Sequence, residues 1–294
     1  MDRRTIEDVI LQHFGKPSRG MERLRPHLPP DYCRSAAAAL LGAERGNVLL
    51  TTGFYVAGCA ETDGPPGTLF LAKALRRLGF CCTVITDEFC RGFFEKGGVT
   101  VEYVPLHMDA AHSIQLLDRY HPAALIAIER CGVNGQGDYA NMRGESIAAY
   151  TAKLDPLFAE GRRRGILTIG VGDGGNEIGM GCFREIIARE LSLSPCVTEV
   201  AYPVIATVSN WGAYGLCAAL QEMTGERLLP YVGEVSSYLE AITAMGSVDG
   251  VTRQRTPTVD GFPEGTEEAM ISVHLRSLTE QRTLASAGKR KTEK

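Results

Sequence analysis

"ILTIGVGDGGNEIGMG", residues 166–181, decides how this chain is read. Ile166, Leu167, Thr168 and Ile169 form the apolar or β-branched lead-in of a buried strand. They run into a loop with five glycines between Gly172 and Gly181, interrupted by Asp173, Asn176 and Glu177. A strand that ends in a glycine loop and continues as a helix is the repeating unit of α/β folds. Such loops commonly cradle a phosphate on backbone N–H groups. Two carboxylates in this one therefore call for an explanation.

The same alternation extends to both sides. Candidate strands lie at 47–53, 80–86, 99–104, 123–129, 166–171 and 204–209. Helical patterns fill 66–78, 88–96, 110–120, 146–164, 176–189 and 211–223. Near-continuous apolar strands between amphipathic helices mark a sheet buried on both faces. With right-handed crossovers this is a doubly wound, mostly parallel α/β sheet flanked by helices. Residues 1–294 read as one α/β domain. Within it, 1–46 form a helical N-terminal flank, 246–265 a late loop near the site, and 280–294 a solvated, mobile tail. Ligands of such sheets bind beyond the carboxyl ends of the strands, where strand order reverses. The loops after the first, fourth, fifth and sixth strands are polar and glycine-rich, whereas "PLHMD" after the third is ordinary. The site is expected where those four strands converge.

With 44% hydrophobic and 22% charged residues, the 294-residue chain can bury a sizeable core. A net charge of −4 offers no electrostatic footprint for nucleic acid or an anionic membrane. Nine cysteines are scattered without a CxxC pair or zinc spacing, which fits a reducing compartment. Asp2, Glu7 and Asp8 open the chain without the apolar stretch of a signal peptide. The uncharged run 200–221 is broken by Pro203, Ser209, Asn210 and Gly212, so it is not a membrane span. The expectation is a cytoplasmic protein, with a homodimer as the default assembly.

Gly170, Gly172 and Gly175 satisfy GxGxxG, but Asp173 and Glu177 would face an anionic pyrophosphate, and no Gly-Lys-Ser/Thr follows. Two readings of Asp173 stay open. It caps a helix beginning near Asn176. Alternatively, Asp173 or Glu177 meets an amine or a metal while backbone N–H groups hold a carboxylate. "ETDGPPG" (61–67) repeats the theme, with Glu61, Thr62, Asp63 and Gly64 ahead of a proline-initiated helix. Glu61, Asp63, Asp173 and Glu177 would make a mouth rich in carboxylates. Opposing them, Arg130 and Arg143 can grip a carboxylate in bidentate fashion, although a structural Glu129–Arg130 pair is an equal alternative for the first. The implied ligand is small and zwitterionic. No large cofactor is expected; if an ion takes part, Mg²⁺ or Mn²⁺ on Asp63, Asp173 and Glu177 is the candidate. Cys131 reads as packing.

At this point the motifs resemble a known family. "TTGF", "ETDGPPG", "IERCGVNGQGDYANMRG", "GVGDGGNEIGMG", "SNWG" and the paired "VDG" ending at Gly250 and Gly261, in that order, resemble the D-glutamate cyclase family from Gly20 to Phe262. Animal members carry a further upstream domain, and the chain is similar to the shorter bacterial form. The resemblance implies a hydro-lyase that closes D-glutamate to 5-oxo-D-proline with loss of water. On that basis Asp173 or Glu177 would transfer the proton. Arg130 and Arg143, with N–H groups of Gly64, Gly174 and Gly175, would hold the substrate carboxylates. Glu61, Asp63 and Asn210 would orient the amine or a Mg²⁺ or Mn²⁺ ion. Asp249 and Asp260 would close the site, and Thr62, Glu129 and Asn176 complete the substrate-binding set. Three rivals remain. One is a divalent-metal-dependent hydrolase or transferase acting on a small carboxylated or phosphorylated metabolite. The others are a non-catalytic amino-acid-binding protein and a dinucleotide enzyme.

Overall fold

A computed structural model describes residues 4–191, 193–262 and 266–292, with side chains through Arg282 except at 266, 267 and 269. The chain begins with α1 (Ile6–Ile10), whose Thr5 and Asp8 form a reciprocal capping box. Two 3₁₀ turns, Met21–Arg23 and Arg25–His27, lead to the alanine-rich α2 (Tyr32–Gly42). The helical flank expected over 1–46 is thus two short helices separated by an irregular stretch that includes Arg19; residues 1–3 lie outside the described residues.

Alternating units follow: β1 (Asn47–Thr51), a small hairpin of β2 (Tyr55–Val56) and β3 (Cys59–Ala60), then α3 (Pro65–Arg77) and β4 (Cys81–Thr86). Next come α4 (Phe93–Lys96), β5 (Thr100–Tyr103), α5 (Ala110–Tyr120), β6 (Ala124–Ile128), α6 (Asp155–Arg163) and β7 (Leu167–Gly172). The chain finishes with α7 (Arg184–Glu190), β8 (Tyr202–Ile205), α8 (Ser209–Thr224), α9 (Val232–Ala244) and α10 (Thr266–Thr292).

Six strands form one sheet in the order β5-β4-β1-β6-β7-β8, and every pairing is parallel. The fold is doubly wound α/β, as expected. The order turns back between β1 and β6, which opens a crevice above their carboxyl ends. Val48, Leu49 and Leu50 on β1, and all of β6, are buried because helices cover both faces. Leu50, Ile126 and Val171 point into the larger core, shared with residues of α2, α3 and α8. Leu49, Leu125 and Ala127 point into the smaller one, shared with residues of α5 and α6. Alternate residues of one strand therefore fill two cores.

The structure corrects several expected boundaries. No helix starts near Asn176: Glu177 bridges to Cys131 and Gly179 to Glu199 on either side of a turn in which Met180 N donates to Glu177 O at 3.0 Å, and α7 begins only at Arg184. Residues 146–154 are irregular apart from one 3₁₀ turn, and α6 starts at Asp155, where Pro156 suits its first turn. Strand β8 ends at Ile205, so Ser209 and Asn210 belong to α8. The helix α10 runs through Thr292, over most of the segment read as a tail, while 293 and 294 lie outside the described residues. Residues 246–262 of the late loop are described and 263–265 are not. Among the described residues, no helix is long and apolar enough to cross a membrane.

Candidate active site

A cavity of about 430 Å³ sits over the crevice. Its buried floor includes Glu61, Glu129, Asn176 and Asp260, and Arg19 reaches in beside them. Its rim carries the exposed Met142, Arg143, Tyr150, Val251 and Arg253.

Asp63 and Asn210 bind the two sides of this crevice together. Asp63 Oδ2 accepts from Ser209 N at 2.8 Å, and Asp63 Oδ1 accepts from Asn210 N at 2.8 Å, which caps α8. In return Asn210 Oδ1 accepts from Gly64 N at 2.9 Å and Gly67 N at 2.8 Å, which caps α3. Each helix is thus capped by a side chain from the other loop. Gly64 cannot be replaced here: its φ is +101° and a Cβ would lie 2.4 Å from Thr52 Oγ1. The expected substrate contacts of Gly64 N–H and Asn210 are corrected accordingly, because those groups already have partners. Thr62 is also used internally, its Oγ1 donating to Thr258 O at 2.7 Å.

In the glycine loop, Glu177 folds back on its own backbone. Its two carboxylate oxygens accept from Gly174 N and Gly175 N, each at 2.8 Å. These are the N–H groups expected to hold a substrate carboxylate, and Glu177 occupies them instead. Asp173 caps no helix. Its Oδ1 is buried without a partner, and so is Oδ1 of Asn176, whose Nδ2 donates to Ala140 O at 2.9 Å. Those two free acceptors answer half of the opening question, and Glu177 answers the rest.

Around Asp173 the carboxylates gather in two groups. Asp63, Asp173 and Asp260 each offer an oxygen within 4.8 Å of the others, and so do Glu129, Asp173 and Glu177. All of these residues are buried, and Glu61 lies beside them. Glu129 and Asp260 also hold left-handed backbone, φ 45° and 53°, which is uncommon outside glycine. Burying so many acids together disfavours their charged forms. Desolvation, reinforced by neighbouring carboxylates, raises Glu61 and Glu129 well above the ordinary range. It raises Asp173 likewise, against the pull of Arg19, and brings Asp63 to about 7. Glu177 is raised by burial despite its backbone N–H bonds. An all-oxygen donor set with an unpartnered acceptor fits a hard cation such as Mg²⁺ or Mn²⁺. The three expected ligands Asp63, Asp173 and Glu177 fall into two groups that share Asp173.

Sequence reasoning missed the cation that, among the described residues, pairs with this cluster. Arg19 Nη2 pairs with both Asp173 and Asp260 and donates to Thr207 O at 3.1 Å. It comes from the aperiodic "GKPSRG" segment, which carries no local signal of its destination. Nearby, Lys16 donates to Gly261 O and lies 4.1 Å over the Phe262 ring, so this segment clasps the late loop.

Arg130 is fully buried, but it points away from the cavity. Its Nη2 pairs with Asp87 at 2.7 Å and donates to Ala152 O at 2.8 Å, while Nη1 donates to Thr52 O and Gly53 O. The expected role of Arg130 as a substrate clamp is therefore corrected, and its structural partner is Asp87 rather than Glu129. Glu129 instead accepts from Ser209 Oγ at 2.5 Å. Asp249 organises the late loop, accepting from Val251 N, Thr252 N, Thr258 Oγ1 and Gly261 N, so it reaches the site only indirectly. Arg143 is exposed at the rim, and no ion pair engages its guanidinium among the described residues. Cys131 is buried packing.

Comparison with known proteins accords with this geometry. The profile of a family described as D-glutamate cyclase-like, C-terminal, matches residues 6–274. The mitochondrial D-glutamate cyclase of Homo sapiens is 33% identical over 208 residues, covering 62% of this chain and 34% of the human protein. The chain thus spans about a third of the length of that curated relative. Among solved structures, the Bordetella bronchiseptica enzyme WbmH, crystallised with NAD⁺, aligns over 43% of this chain and 38% of its own. That match has a TM-score of 0.28 and 13% identity, and it carries no argument. With the family profile running through nearly its whole length, this chain belongs to the D-glutamate cyclase-like family.

Proposed function

We propose that the chain closes D-glutamate to 5-oxo-D-proline with loss of water. The observation that carries this reading is a group of buried carboxyls, several with raised pKa, opening onto a cavity whose rim bears Arg143 and Arg253. The choice of D-glutamate rests on the family and on the human relative's name.

The chemistry matches that environment. The α-ammonium must lose two protons, its nitrogen bonds to the γ-carbon, and one γ-oxygen leaves as water carrying two protons. The reaction thus consumes no net proton. It needs a base and an acid side by side, which acidic groups of displaced and coupled pKa supply at neutral pH. Asp173 is assigned the proton transfers, with Asp63 at about 7 as its coupled neighbour. Each such step is worth about 10²–10⁴-fold. Glu61 and Glu129 would face the ammonium. Arg19, already anchored by two carboxylates, would meet the substrate's γ-carboxylate, and Arg143 at the rim its α-carboxylate. When bound on these acids, a divalent cation would supply Lewis-acid polarisation. The fold over the crevice holds the two reacting ends together. Nine free cysteines fit a reducing setting, and the cytoplasm is the compartment proposed.

The test is incubation with D- and L-glutamate, with and without Mn²⁺ and a chelator, followed by mass spectrometry for 5-oxoproline. Formation from D-glutamate and not from L-glutamate supports the reading, and no product under any condition overturns it. The two oxygen-ligand groups favour one rival, a metal-dependent hydrolase, which would release two products from a larger metabolite.

A further inference from the structure

The acidic floor accounts for only part of the cavity. Part of the lining is apolar, built from Phe54, Tyr55, Ile147 and Tyr150. Tyr55 and Tyr150 stack with centroids 4.4 Å apart and planes 11° apart, and the edge of Phe89 backs Tyr55 at 4.7 Å. The rim continues this wall. Met142, Tyr150 and Val251 are 47%, 45% and 51% exposed, and all three border the same mouth. Single exposed hydrophobics are ordinary, but a contiguous set around a concave opening marks a binding surface. Free glutamate carries charge at both ends of a short chain and has nothing to lay against such a collar. A cavity of about 430 Å³ also falls in the range that encloses ligands much larger than a free amino acid.

Building on the proposed cyclisation, we propose that the site also accepts D-glutamate whose γ-carboxyl is joined to an apolar or aromatic amine, a D-γ-glutamyl amide. The glutamyl part lies over the acidic floor and the γ-substituent runs along Tyr55 and Tyr150 toward the mouth. The α-nitrogen bonds to the γ-carbon and the bond from that carbon to the leaving nitrogen breaks. Two protons leave the α-ammonium through the floor carboxyls; one arrives on the departing nitrogen to give the neutral amine, and the second protonates an alkylamine or, for a weakly basic arylamine, passes to solvent. The balance is D-γ-glutamyl amide to 5-oxo-D-proline plus free amine, with no water released and no oxidant or co-reactant required. An amide carbonyl is a better electrophile than a carboxylate, whose shared negative charge repels the attacking nitrogen. The same acid–base groups therefore act here on an easier bond, and the apolar collar supplies the binding that a free amino acid cannot use.

The experiment compares the full chain on D-γ-glutamyl-4-nitroanilide and on free D-glutamate, reading nitroaniline by absorbance and 5-oxoproline by mass spectrometry. The expected result is equimolar nitroaniline and 5-oxoproline, with kcat/KM at least about tenfold above that for D-glutamate. Tyr150→Ala and, independently, Val251→Ser should each lower kcat/KM for the anilide by about three- to tenfold, the size of a lost aromatic or apolar contact, and leave D-glutamate within twofold. Both positions are exposed, and a melting curve for each variant verifies folding. Turnover of D-glutamate without turnover of the anilide overturns this inference and leaves the proposed function standing. Turnover of the anilide alone does the reverse, and failure of both substrates removes both. Nitroaniline released with glutamate instead of 5-oxoproline means hydrolysis, which also overturns it. So do collar variants that affect both substrates equally, or neither, since the collar would then cover a different partner.

Discussion

Arg130 provides the sharpest separation between architecture and chemistry. Replacing it with Met keeps much of the stem volume but leaves the Asp87 carboxylate, 1% exposed, without its cation. Breaking a buried ion pair by removing one partner costs about 3–5 kcal/mol. The carbonyls of Thr52, Gly53 and Ala152 lose their donors at the same time, which moves the expectation toward the upper end. At roughly 2–4 °C per kcal/mol for a chain of this size, Arg130→Met should melt about 6–20 °C below the parent. Trp211, the only tryptophan and fully buried, reports the transition by its fluorescence. Adding Asp87→Leu removes the stranded charge and should recover only part of the loss, because the three carbonyls stay without donors and the N–H groups of Phe89 and Ala152 lose their acceptor. Meanwhile KM for D-glutamate should stay within twofold, since the guanidinium points away from the cavity. A variant that melts with the parent yet binds substrate tenfold more weakly would show that Arg130 does reach the ligand, and the geometric reasoning would be wrong.

Three further outcomes follow from the same site. Asp173→Asn should reduce turnover by about 10²–10⁴-fold and lower the melting temperature modestly through the lost pairing with Arg19, leaving the fold intact; full activity would remove Asp173 from the mechanism. Arg19→Gln should raise KM about tenfold or more and lower the melting temperature, because the buried Asp173 and Asp260 lose the cation they share. The pH dependence of stability has a definite sign: Asp63 sits at about 7 and Glu268 at about 8 when folded, both above their unfolded values. Their contribution is fully present below about pH 4 and is lost as pH rises through 7 and 8, so the denaturation midpoint of the metal-free protein should fall over pH 5–9. A flat profile would mean that these carboxyls are not desolvated as described.

The fold was legible because parallel strands buried on both faces read as apolar runs, and six such runs mapped onto six strands. Boundaries were lost where glycine and local bridges stop a helix from starting, as at 176–180. The convergence of acidic loops was legible from composition. The division of labour among them was not, because it rests on contacts remote in sequence. Asp63 and Asn210 cap each other's helices across 147 positions, and Arg130 meets Asp87 across 43. Arg19 is the clearest loss. Nothing in the pattern around "GKPSRG" announces a buried cation, because its destination is set by how α1 and α2 pack against the sheet.

The self-filled glycine loop has a consequence for what the protein ignores. Nucleotides and sugar phosphates are abundant metabolites, and the strand order seen here is one that elsewhere welcomes them. By seating Glu177 on the N–H pair of Gly174 and Gly175, the chain fills its anion seat with oxygens of its own, so an incoming phosphate would find both donors already taken. Discrimination against phosphates would then lie in the Glu177 side chain and the turn it closes, apart from the groups that line the cavity.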